Sequence, residues 1–119
     1  MIGHIGFYVN NLKESKIFYT SLLKVLDYEI IFENEACLCL GREEMPYFEI
    51  YVGKPTSPMH IAFSCDSQGI VNQFYATALE LGAKSNGEPG YRNYLPNYYA
   101  CFVLDPNGHN LEGVCLGKP

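Results

Sequence analysis

The chain has 119 residues, 48% of them hydrophobic and 14% aromatic, which is enough apolar surface for one compact domain with a real core and too much for a disordered segment. Eight Lys and Arg face 13 Asp and Glu for a net charge of −5, and the basic residues form no run, so neither nucleic acid nor a membrane surface is an expected partner. No basic segment leads into a long apolar stretch, and no window nears the roughly 18 apolar residues that cross a bilayer, so a soluble, unexported chain is expected.

Residues 3–9 alternate as a half-buried strand does, with Ile5, Phe7 and Val9 on one face and His4, Gly6 and Tyr8 on the other. Asn11 is placed to cap a helix, with Glu14 at the capping-box position. Phe18, Leu22 and Leu26 then recur every four residues, which predicts a helix over 12–26. Extended runs follow near 28–33, 36–41 and 46–53. Residues 53–58, with two prolines, a glycine and small polar residues, cannot continue a helix or a central strand.

The second half restarts the pattern. A strand at 59–65 leads to a cap at Asp66 or Ser67. A helix carrying Val71, Phe74, Tyr75 and Ala78 on one stripe follows, with Gly82 placed to end it. Residues 86–90 read as irregular, ahead of a strand at 98–104. Asp105-Pro106-Asn107-Gly108 is a turn signal that should return 109–115 as an antiparallel strand. Five scattered cysteines, an odd number without a Cys-x-x-Cys pair, read as small apolar residues in a reducing cytoplasm; Cys37 and Cys39 would share a strand face.

His4-Ile5-Gly6-Phe7 recurs as His60-Ile61-Ala62-Phe63, and each copy is followed by a glutamate in an apolar strand-like run, Glu49 and Glu112. The expected organisation is therefore a single domain, 1–119, of two similar modules, 1–53 and 59–119, joined by a linker at 54–58. Strand parity separates each of the four polar residues from the bulkier apolar set of its strand, which can pack beneath a helix. Two imidazoles and two carboxylates on such faces offer nitrogen and oxygen donors to a divalent ion, Ni, Zn, Co, Mn or Fe, with two positions left over. His109 has the parity of Leu111 rather than Glu112 and reads as structural.

These stretches, with Ser15-Lys16-Ile17-Phe18-Tyr19 and Tyr99 through Glu112 around Asp-Pro-Asn-Gly, resemble the vicinal oxygen chelate superfamily over essentially the whole chain. That group includes glyoxalase I, fosfomycin-resistance enzymes, bleomycin-binding proteins, methylmalonyl-CoA epimerase and extradiol dioxygenases. The resemblance implies an α+β fold of two βαβββ modules, forming a partly closed, barrel-like mixed sheet with the helices outside. It carries metal ligands over onto His4, His60 and Glu112, with Glu49 matching the fourth ligand of glyoxalase I. It also implies dimers, in which paired modules come from one chain or are exchanged between two.

The expected activity is that of a glyoxalase I-like lyase or isomerase acting on a small α-oxygenated carbonyl compound through a metal-chelated enediolate. Glu112, with Glu49 second, is the expected base. Arg92 is the candidate partner of a substrate anion, and Tyr91, Tyr94, Tyr98 and Tyr99 are candidate cavity walls. The alternatives are a non-catalytic module that binds a small molecule as bleomycin-binding relatives do, and a thiol transferase of the fosfomycin-resistance type.

Overall fold

The computed structural model describes residues 1–117. The chain divides between Ser57 and Pro58 into two compact units, at a break inside the proline-containing 54–58 segment. In the first unit, β1 (Ile5–Val9) leads through α1 (Leu12–Leu23) and a short 3-10 turn (Lys24–Leu26) to β2 (Glu29–Glu33), β3 (Cys37–Arg42) and β4 (Met45–Val52). The second repeats this as β5 (His60–Ser64), α2 (Gln68–Glu80), β6 (Lys84–Tyr91), β7 (Tyr99–Leu104) and β8 (Asn110–Cys115). The α+β architecture of two βαβββ modules is thus present. The strands form two four-stranded mixed sheets, ordered β1-β4-β3-β2 and β5-β8-β7-β6, that are not closed into a barrel. In each, the first strand pairs parallel to the fourth and the other pairings are antiparallel.

The local causes are those expected from the sequence. Asn11 Oδ1 accepts the Glu14 N–H at 3.0 Å, and Ser67 rather than Asp66 caps α2, its Oγ accepting the Ile70 N–H at 3.2 Å. Past α1 the chain tightens into the 3-10 turn and stops at Asp27, which is left-handed at φ 62°. After α2, Gly82 is left-handed, and the Ala83 N–H closes back on the Ala78 carbonyl at 3.0 Å.

One face of each sheet is covered by its helix. In the first unit Phe7, Val9, Leu38, Leu40, Phe48 and Ile50 are buried, as are Phe18, Tyr19 and Leu22 of α1. The Tyr19 and Phe48 ring centroids lie 4.9 Å apart. In the second, Val71, Phe74 and Ala78 of α2 are fully buried along with Cys101, Val103 and Leu111. The helix comes close enough that a Cβ on Gly113 would stand 3.0 Å from Phe74 Cδ1. Full burial of a side chain such as Phe74 is worth about 1.5–3 kcal/mol.

The stretch expected to be irregular, 86–90, is instead part of an edge strand. β6 pairs with β7 through register shifts on either side of Gly87 and tolerates Pro89, because an edge strand needs hydrogen bonds on one side only. Among the described residues no helix is long and apolar enough to cross a membrane.

Candidate functional site

The face of each sheet away from its helix carries one histidine and one glutamate in matching registers. Gly6 lies beside Glu49 in the β1/β4 ladder, and Ala62 lies beside Glu112 in the β5/β8 ladder, each two residues past its histidine. Parity does the rest: Phe7 and Val9, or Ile61 and Phe63, go under the helix, and His4 or His60 turns the other way. His4 Nε2 stands 3.6 Å from Glu49 Oε1, and His60 Nε2 stands 2.9 Å from Glu112 Oε1. The imidazoles are 59% and 50% exposed, the carboxylates 13% and 3%.

In the second unit the tautomer can be argued. His60 Nδ1 is 3.0 Å from the Asn110 carbonyl oxygen, which only accepts, so Nδ1 carries a proton and donates it there. A neutral ring in that state directs the Nε2 lone pair at Glu112 Oε1, an arrangement stabilised by a cation, whether proton or metal. Ligand distances of about 2.0–2.2 Å place two donors at right angles about 3 Å apart, close to the separation found here. The donor set therefore fits a divalent metal. Among the described residues, no group of three or more His, Cys, Asp or Glu is gathered to hold an ion.

Each carboxylate also receives a phenol. Tyr98 donates to Glu112 Oε2, the oxygen not facing His60, whereas Tyr51 donates to Glu49 Oε1, the oxygen that also faces His4. The bond to Glu112, then burial and the nearby negative charge, push the Tyr98 hydroxyl up to about 12; the Glu49 bond leads the same set of causes for Tyr51, also about 12. Both hydroxyls remain donors across the physiological range. The role of Tyr51 was missed in the sequence, although its position two residues after Glu49 puts it on the same strand face.

Cys39 lies beside Glu49 in the β3/β4 ladder and Cys37 beside Tyr51, so the two thiols do share the Glu49 face. Burial, with Cys37 and Glu49 adding to it, raises Cys39 to about 11 and keeps it a thiol.

The other candidates divide between the two faces of the second sheet. Phe102 pairs with Glu112 in the β7/β8 ladder, and its ring lies 6.1 Å from that of His60. The Arg92 guanidinium sits 5.4 Å above Phe102, its Nη1 and Nη2 donating to the Gly90 and Glu88 carbonyls at 2.9 and 2.7 Å. A side chain at Gly87 would crowd it, since a Cβ there would stand 3.1 Å from Nη2. Tyr94 packs edge-on against Tyr98 at 5.1 Å. Tyr99 lies instead beside Cys115 and Tyr91 beside Tyr99, on the side of α2: Gln68 Nε2 donates to Tyr91 Oη at 2.8 Å, and Tyr99 Oη donates to Asn72 Oδ1 at 2.7 Å. The structure thus brings Tyr98 and Phe102 to Glu112, with Tyr94 and Arg92 packed on them, and turns Tyr91 and Tyr99 away. Phe102 was not singled out in the sequence; its signal was its even parity within β7.

His109 is buried, on the parity of Leu111, and its Nδ1 accepts the Met59 N–H at 3.0 Å.

Comparison with known proteins gives one consistent answer. The family model described as Glyoxalase/Bleomycin resistance protein/Dioxygenase superfamily matches residues 1–112. No curated protein matches the chain. Among solved structures, a glyoxalase/bleomycin resistance protein from Albidiferax ferrireducens T118 is similar at a TM-score of 0.82 and 23% identity, with 98% of each chain covered. A glyoxalase/bleomycin resistance protein/dioxygenase family enzyme from Burkholderia phytofirmans PsJN gives 0.77 at 13% identity, again over 98% of each chain. The fosfomycin resistance protein FosX from Mesorhizobium loti gives 0.69 at 17% identity, over 99% of this chain and 92% of that one.

Proposed function

We propose, from the premise that this chain belongs to the glyoxalase/bleomycin resistance protein/dioxygenase superfamily, that it is a metal-dependent lyase or isomerase of the glyoxalase I type. Its substrate would be a small α-oxygenated carbonyl compound. The observation that supports this reading best is the matched placement of an imidazole and a carboxylate in each module, with His60 Nε2 standing 2.9 Å from Glu112 Oε1. His4, Glu49, His60 and Glu112 would hold one divalent ion, Ni, Zn, Co, Mn or Fe, where a first and a second module pair, within one chain or across a dimer. Members of the superfamily generally bind divalent metals, and the ion would supply Lewis acidity to the substrate's vicinal oxygens.

The chain's own residues do the rest. Glu112, with Glu49 second, takes the carbon-bound proton and returns it to the neighbouring carbon. The Tyr98 hydroxyl holds Glu112 Oε2 and so fixes which way the carboxylate faces. The remaining Arg92 donors pair with an anionic group on the substrate, and Phe102 and Tyr94 keep water from the carboxylate. His4 and His60 serve as ligands only.

Solvent exchange tests this with model compounds in place of the natural substrate. In D₂O, Ni²⁺-loaded protein should wash deuterium into the α-position of a hydroxycarbonyl or hemithioacetal compound, read by proton NMR, and Glu112→Gln should lose this by about 100-fold or more. No exchange across a broad panel, with tight binding of aromatic compounds retained, would replace the proposal with the binding-module reading. That second reading is favoured by the Tyr94, Tyr98 and Phe102 rings beside Glu112.

A further inference from the structure

The buried turn histidine has no part in the proposed chemistry, yet it lies one backbone step from a proposed ligand. Asp105 Oδ1 accepts the N–H groups of Asn107 and His109 at 2.9 and 2.8 Å, and the Asp105 N–H donates to the His109 carbonyl at 3.0 Å. Gly108, at φ 87°, supplies the left-handed step that closes the turn. The turn thereby fixes His109, which is 0% exposed, so that its Nδ1 accepts the Met59 N–H at 3.0 Å. The next residue completes a clamp: the Asn110 N–H donates to the Met59 carbonyl at 2.9 Å, and the Asn110 carbonyl accepts from His60 Nδ1 at 3.0 Å. Both backbone polar groups of the residue before His60 are held, and so is the ring itself.

The first module provides an internal control. Gly3 precedes His4 as Met59 precedes His60, and a Cβ built on it meets nothing within 4 Å. There the imidazole stands 3.6 Å from its glutamate instead of 2.9 Å.

We propose that His109 is a positioning residue: through the Met59 N–H it sets the His60 ring so that Nδ1–H meets the Asn110 carbonyl and Nε2 is left to bind a cation. The inference rests on the metal-site reading for its purpose and on geometry alone for its content. It requires opposite tautomers in two neighbouring histidines, His109 protonated on Nε2 and His60 on Nδ1.

Nitrogen-15 NMR of the metal-free wild-type protein at a pH where both rings are neutral reads those tautomers directly. His109 protonated on Nδ1 would overturn the proposal, since such a ring cannot accept from Met59. Next come His109→Leu, which removes the acceptor, and His109→Asn, whose Oδ1 can replace Nδ1. The expected result is loss of the single His60 tautomer and about 10–100-fold weaker Co²⁺ binding in the leucine variant, both recovered in the asparagine variant. A folded leucine variant that keeps the His60 tautomer overturns it too. If Co²⁺ binds to none of the proteins while the tautomers follow the expected pattern, the metal reading fails and the positioning role of His109 stands.

Discussion

The two modules carry the same histidine and glutamate at the same register, but they do not hold them equally. In the second, every polar atom of the pair has an assigned neighbour: His60 Nδ1 on Asn110, Nε2 on Glu112 Oε1, and Tyr98 on Glu112 Oε2. In the first, Tyr51 and His4 converge on one oxygen, Glu49 Oε1, and the ring is farther away and more exposed. The last hairpins of the two modules differ as well. β7 and β8 are joined by the Asp105–His109 turn, whose His109 ring reaches back to Met59, just ahead of β5. β3 and β4 are joined by Glu43-Glu44 alone, both left-handed at φ 52° and 66°. A repeated motif therefore gives one closely held histidine–glutamate pair and one looser, more exposed pair.

The sharpest way to break that contrast is to remove one imidazole at a time. His60→Ala and His4→Ala should each weaken Co²⁺ binding by more than about 100-fold, beyond what loss of a supporting residue costs, and His60→Ala should do the greater damage. Equal retention of affinity in both variants, measured by calorimetric titration, would dissolve the pairing. Asp105→Ala comes next, because it strips the acceptor from the buried His109 N–H. It should cost about 2 kcal/mol in urea unfolding, whereas Glu43→Ala should stay within about 0.5 kcal/mol.

The phenols separate the two pairs more gently. Tyr98→Phe should cost about 1–2 kcal/mol, because it leaves the nearly buried Glu112 oxygen without its donor, and Tyr51→Phe should cost less, beside a more exposed carboxylate. Since both hydroxyls are raised from 10.0 to about 12 in the folded state, their contribution is complete below about pH 10 and lost as pH climbs through 12. Wild type and the phenylalanine variants should therefore converge in alkaline unfolding. Smallest of all, replacing Glu43-Glu44 by Asn-Gly should stabilise the first module by about 0.4–1 kcal/mol, since both positions adopt the conformation that pair prefers; a lowered melting temperature would refute that account of the turn.

Much of this was legible in the chain. Alternation at residues 3–9 and 59–65 placed both histidines opposite the core, and Asn11, Phe18 and Leu22 located the first helix. The Asp-Pro-Asn-Gly signal located the hairpin whose turn holds His109 against Met59. What could not be read was contact across the sheet. β6 was hidden because Gly87, Pro89 and Gly90 have poor strand propensity, and only edge pairing with β7 makes them extended. Tyr91 and Tyr99 looked equivalent to Tyr94 and Tyr98 in a tyrosine-rich segment. The register of β7 against β8 sends Tyr99 toward α2, and Tyr91 pairs beside it, while Tyr98, just ahead of β7, reaches Glu112. Parity set His109 with Leu111, and both are buried, but its reach to Met59 depends on the folded turn.

Whether the two histidine–glutamate pairs act on one ion is decided most directly by X-ray absorption of Ni²⁺-titrated protein, with stoichiometry measured on the same sample. The account predicts one ion per chain, bound by two imidazoles together with carboxylate oxygens. Two ions per chain with a single imidazole each, or no bound ion at all, would contradict it.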